Sequence, residues 1–126
     1  MAEITGVLVN PDEKTVKKVT IEKSLDSYYK TLDCSCIDIV TRKIGGRRFD
    51  IICDDEGLYK DDPWISAIDH LGRPMLVGRL LVVCFDGEED ERSLTDEEAA
   101  FVLRHVGVFA TKHHRDPYPM LYVEEV

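Results

Sequence analysis

Two short stretches of this chain hold the residue types that bind anions. Arg42-Lys43-Ile44-Gly45-Gly46-Arg47-Arg48 sets four cations around a glycine pair, and Thr111-Lys112-His113-His114-Arg115 packs two cations and two imidazoles into five residues. Glycine lets backbone N–H groups approach an anion closely; arginine adds a planar fork matched to phosphate oxygens, and lysine a point charge. The rest of the chain has the opposite sign, with 25 Asp+Glu against 16 Lys+Arg and a net charge of -9. Basic islands on an acidic body point to a compact anionic ligand. A DNA or RNA polymer would need a broad basic face instead. Each island also has a plainer explanation: a glycine pair suits a tight hairpin turn, flanking arginines keep strand edges soluble, and a charged tail loop is well solvated.

Other chemistry lacks its residues. There is no Gly-x-Ser-x-Gly elbow, phosphate-binding loop or His-Glu-x-x-His pair, so the expectation is a protein that is not an enzyme. Cys34-x-Cys36 and His113-His114 lack the paired spacing of a structural zinc site. Asp86 to Glu91 lacks the alternating ligands of a calcium loop. No metal and no cofactor are expected. The cysteines (Cys34, Cys36, Cys53, Cys84) read as free core thiols of a reducing compartment.

Positioning these islands falls to strands and two helices. Ile4–Val9 and Thr15–Ile21 read as an opening hairpin across the Asn10-Pro11 turn. Ser24 is a helix cap before Leu25, Tyr28, Tyr29 and Leu32, and that helix stops near Asp33. Cys36–Thr41 and Phe49–Cys53 form a second hairpin, which places Gly45-Gly46 at its exposed tip. Pro63–Ile68 is a helical turn or a short strand. Met75–Phe85 reads as one long strand, with Gly78 as a bulge and Leu80–Phe85 covered on both faces. Thr95-Asp96-Glu97-Glu98 is a capping box that starts a helix, and Gly107 is placed to end it. Met120–Val123 is a last strand. The expected class is α+β, an antiparallel sheet of about five or six strands covered by two helices. The 126 residues are expected to form a single domain, 1–126. Trp64 and the Tyr28-Tyr29 pair are expected to pack helix against sheet or to line an oligomer interface.

The opening Val-Leu-Val hairpin, the Ile-Cys-Asp-Asp-Glu-Gly turn, the long apolar strand and Ser93-Leu94-Thr95-Asp96-Glu97-Glu98 follow one another in a recognisable order. Over roughly residues 4 to 106 this layout resembles the small phage, plasmid and prophage domains of domain-of-unknown-function family 3846. With the Lys-His-His-Arg tail added, it also resembles the first phage anti-Thoeris sponge family. That resemblance implies a homo-oligomer, a dimer or a hexamer, in the host bacterial cytoplasm. It implies binding and sequestration, without degradation, of cyclic nucleotide immune signals. These are cyclic ADP-ribose isomers such as glycocyclic ADP-ribose, with cyclic oligonucleotides at a second site.

The resemblance assigns the first ligand site to Phe85 for the adenine, to Arg92 or Ser93 for the ribose, and to Thr111, Lys112, His113, His114 and Arg115. It assigns the second site to Gly45, Gly46, Arg47 and Arg48. The family uses an amide side chain before its last helix, whereas Asn10 is the single Asn here and there is no Gln. No apolar run is long enough to span a membrane, so no membrane partner is expected. Phe85 equally suits core packing. The alternative function is an acidic nucleic-acid mimic that blocks a DNA-binding defence protein.

Overall fold

A computed structural model describes residues 2–55, 63–84 and 92–126. Phe85, the acidic loop from Asp86 to Glu91, and the Glu56-Gly57 end of the acidic turn lie outside the described residues. The strands are β1 (Glu3–Asn10), β2 (Thr15–Glu22), β3 (Ile37–Ile44), β4 (Arg47–Asp54), β5 (Ile65–Ile68), β6 (Pro74–Val77), β7 (Leu80–Cys84), β8 (Val106–Phe109), β9 (Tyr118–Tyr122) and β10 (Glu124–Glu125). The helices are α1 (Leu25–Leu32) and α2 (Asp96–Leu103). The α+β class holds.

The strands form two sheets where one was expected. The larger has the order β10-β3-β4-β7-β1-β2, the smaller β6-β5-β9-β8. The larger sheet is antiparallel throughout, and the smaller contains one parallel pair, β5 with β9. The Met75–Phe85 run is not one strand with a bulge. Gly78, at φ +78, is the corner where the chain leaves β6 in the small sheet and enters β7 in the centre of the large one. Both strands are apolar, so composition alone hides the break.

β7 shows how the layers close. Leu80 and Val82 face one way, into a core with Val7, Ile51, Phe49, Ala99 and Val102 that also takes in Ala67, Leu121 and Val123 of the C-terminal half. Leu81 and Val83 face the other way, against Tyr28 and Leu32 of α1. Helix α1 therefore covers one face of the large sheet, and α2 with the small sheet covers the other.

The helix ends obey local rules. The Ser24 hydroxyl accepts from the Ser27 N–H, and Asp33 closes α1 in the left-handed region at φ 51. The capping box of α2 is formed, with Glu98 N–H donating to Thr95 Oγ1 at 3.1 Å and Thr95 N–H to the Glu98 carboxylate at 2.9 Å. Its other end departs from expectation. Arg104 caps α2 in an ordinary right-handed conformation. Gly107 lies inside β8, where an added Cβ would stand 2.5 Å from the Phe109 ring. Of the Pro63–Ile68 segment, Ile65–Ile68 is strand β5. All four cysteines are free, but Cys36 is exposed rather than in the core.

Candidate functional site

The first basic island sits at the β3–β4 turn. A two-residue hairpin turn of this kind needs φ > 0 at both central residues, and Gly45 and Gly46 supply +58 and +85. Ile44 is fully buried and anchors the tip. Gly45 faces the end of α2, and a Cβ there would fall 2.5 Å from His105 Nε2 and 2.7 Å from the Phe101 ring. Gly46 faces open space.

Around Phe101 the tip assembles its charge. The Arg47 guanidinium lies 4.0 Å from the ring centre and bonds the Glu97 carboxylate at 3.1 Å; Arg104 approaches the same ring at 5.9 Å. The His105 ring is 4.6 Å away, and its Nδ1 bonds the Phe101 carbonyl at 2.8 Å. Arg48 and Arg104 are exposed, and neither has an ion-pair partner among the described residues. The arrangement therefore ties Arg47 to α2, leaves Arg104 exposed beside the same ring, and sends the exposed Arg48 to the alternate face of β4. A phosphate fits such a cluster, since guanidinium bonds to it are charge-assisted.

The second island is a turn beyond β8. The Thr111 N–H donates to the His114 carbonyl at 2.8 Å, and the His114 N–H donates to Thr111 Oγ1 at 3.0 Å. The His114 ring stacks on Trp64, with centroids 3.4 Å apart and planes 11° apart, and Tyr118 meets Trp64 edge-on at 5.1 Å. Trp64 is thus a packing residue. Tyr118 is buried beside Thr111 and the Ile65 backbone, and that burial pushes its phenol pKa up. Thr111 and His114 build the turn, while Lys112, His113 and Arg115 are exposed on it.

Arg92 and Ser93 occupy the exit of β7. Arg92 bridges Cys84, and the Ser93 Oγ accepts the Thr5 N–H at 2.9 Å, which ties this segment to the start of β1. Cys84 Sγ donates to the Glu98 carboxylate at 3.6 Å. Cys84 also pairs with Phe49, two residues past Arg47. Arg92 and Ser93 therefore stand at the hairpin-tip end of the large sheet.

The chain from residue 4 to residue 107 matches a family model described as "Domain of unknown function (DUF3846)". The chain belongs to this family. No curated protein and no solved structure matches it.

The DUF3846 region holds the hairpin tip, Arg92, Ser93 and α2, and the Thr111–Arg115 turn lies beyond it. Geometry divides the expected site residues along the same line. Asp116 approaches Lys14 at 3.8 Å, so the tail turn lies near the β1–β2 turn. Ser93 touches Thr5, near the opposite end of β1. Thr5 and Asn10 are five residues apart, about 17 Å along a strand. Within one chain of this DUF3846 protein, Arg92 and Ser93 therefore join Gly45–Arg48, while Thr111–Arg115 forms a separate surface.

Sequence reading passed over Phe101, Arg104 and His105. The signal for the aromatic pair was present, because Phe101 and His105 are four apart and share a helix face. Among the described residues no group of three or more His, Cys, Asp or Glu side chains is arranged to hold a metal. Among the described residues no helix is long and apolar enough to cross a membrane.

Proposed function

We propose that this DUF3846 protein is a phage or prophage immune-evasion protein that sequesters cyclic nucleotide signals in the host bacterial cytoplasm. Its ligands are cyclic ADP-ribose isomers such as glycocyclic ADP-ribose, with cyclic oligonucleotides at a second site. The observation that supports this most is the cationic hairpin tip, where Arg47 and Arg104 lie against Phe101 and the exposed Arg48 follows an open glycine turn, on a chain of net charge -9. A small polyanion is drawn to such a focus and repelled elsewhere. The protein holds its ligand without turning it over.

The separation of the two basic surfaces gives the proposal a further requirement. A small ligand that touches both Arg92 or Ser93 and the Thr111–Arg115 turn needs two copies of the chain. The working state is therefore a homo-oligomer, a dimer or a hexamer.

The test is a capture-and-release assay. The protein is incubated with a cyclic ADP-ribose isomer, freed of small molecules, heated, and the supernatant assayed for the intact signal. Recovery of intact signal supports sequestration; recovery of none overturns it. A thermal-shift panel of cyclic ADP-ribose isomers and cyclic di- and trinucleotides identifies the ligand class.

A further inference from the structure

We propose, resting on the reading of the Thr111–Arg115 turn as a surface for the ligand's phosphates, that Trp64 is its positioning residue. The indole touches no ligand. It holds the turn, through His114, in the form that binds an anion.

Such a turn needs a fastener. Lys112 and Arg115, with His113 between them, are all exposed, and like charges this close favour an extended chain. The Thr111 N–H bond to the His114 carbonyl, at 2.8 Å, and the His114 N–H bond to Thr111 Oγ1, at 3.0 Å, set the local shape. Lys14 meets the neighbouring Asp116 at 3.8 Å, but that carboxylate is 92% exposed, so solvent screens the pair and it adds little.

The ring stack joins the turn to the body of the fold. Trp64 directly precedes β5, its carbonyl accepts the Gly78 N–H at 2.7 Å, and Tyr118 of β9 meets its ring edge-on. The corner between the two sheets thus carries the indole. The indole in turn carries the His114 ring, with centroids 3.4 Å apart and planes 11° apart. With the ring of residue 114 turned inward, its neighbours His113 and Arg115 are left exposed together with Lys112. Cations held this way lose little further freedom when an anion arrives, whereas the same side chains on a loose loop bind more weakly.

Inorganic pyrophosphate is the probe, titrated into the whole chain. The amide resonances of Lys112 and Arg115 follow the turn, and those of β7 follow the fold. Trp64 is the one tryptophan of the chain, so its emission reports the stack. That emission is expected to change in His114→Ala before any ligand is added, and an unchanged emission overturns the proposal.

Trp64→Phe keeps a ring under His114 and is expected to bind pyrophosphate within about twofold of the unmodified chain. Trp64→Leu keeps apolar bulk but loses the stack, and is expected to bind about fivefold more weakly. Should Trp64→Leu disturb β7, the turn side supplies a second pair: His114→Phe retains affinity and His114→Ala loses it. Equal affinity for Trp64→Leu, with the β7 resonances in place, overturns the proposal. Equal loss in His114→Phe and His114→Ala also overturns it, because the imidazole is then a ligand contact rather than a stacking partner. An unmodified chain whose turn amides ignore pyrophosphate does the same. Cyclic nucleotide capture that fails while pyrophosphate still binds counts against the proposed function alone.

Discussion

Arg47 bridges two elements at once: its guanidinium rests 4.0 Å from the centre of the Phe101 ring while its Nη1 bonds Glu97 at 3.1 Å. Both partners are on α2, so this one side chain fastens the β3–β4 tip to that helix. The neighbouring Arg48 makes no such contact and is exposed. Two adjacent arginines thus have different work.

Arg47→Ala is expected to cost about 1 kcal/mol of folding stability, from the lost cation–π contact and a half-exposed ion pair. Arg48→Ala is expected to stay within about 0.5 kcal/mol, as surface changes do. Under the proposed function the order reverses for ligand: Arg48→Ala weakens capture more than it weakens the fold. Urea denaturation and calorimetric titration of both variants check this.

The two turn glycines separate in the same way. Gly45→Ala places a Cβ against His105 and Phe101 in a left-handed backbone and is expected to cost about 2–4 kcal/mol. Gly46→Ala meets no atom within 4 Å, so only the backbone conformation resists it, at about 1 kcal/mol. Denaturant midpoints of the pair give the comparison.

What the sequence made legible was set by interactions a few residues long. Ser24 and Ser27, Thr95 and Glu98, and the Gly45-Gly46 turn each close within four residues, so residue type and spacing determine them. The hairpin tip was placed correctly for that reason. Trp64 and His114 stack across 50 positions of chain, and nothing near either residue announces the other. The Gly78 corner was hidden differently. Val77 and Leu80 are both buried, and a glycine between apolar residues serves a bulge or a corner equally well. Gly107 was misread because a glycine after a helix resembles a cap, whereas the Phe109 ring and Tyr122 claim that space. Division of the candidate site between two ends of the sheet follows from strand order, which local spacing does not encode.

The thiols are expected to react in order of burial. Burial, aided by the nearby Asp38 charge, pushes Cys53 up to about 11, while Cys36 is exposed. At mildly alkaline pH iodoacetamide labels Cys36 first and reaches Cys53 only on unfolding; mass spectrometry of a time course reads the order. Because the folded pKa of Cys53 is raised, its contribution to stability is fully present below the unfolded value near 8.5. That contribution is lost as pH rises through about 11. Cys53→Ala removes this alkaline slope.

Asp69 gives the opposite sign. Its carboxylate accepts the backbone N–H of Arg73 and of Leu71 at 2.9 Å each and the Arg73 Nε at 2.7 Å. The Arg73 backbone bond is the largest influence holding its pKa below the ordinary range, and burial opposes it. A depressed folded pKa adds stability above the unfolded value near 3.9, and that stability is lost as pH falls through the lower folded value. Asp69→Asn is expected to lower Tm at neutral pH and to converge on the unmodified protein in acid.

The position of β7 has a kinetic consequence. Until Leu80–Cys84 inserts between β4 and β1, the opening hairpin and the glycine-tipped hairpin are two separate ribbons, each marginal in water by itself. Joining them requires closure of the chain between Val7 and Val82, so the decisive contacts are distant in sequence and slow to form. During synthesis the first two hairpins wait for residues beyond 80, and the site at their shared end comes into being in one late event.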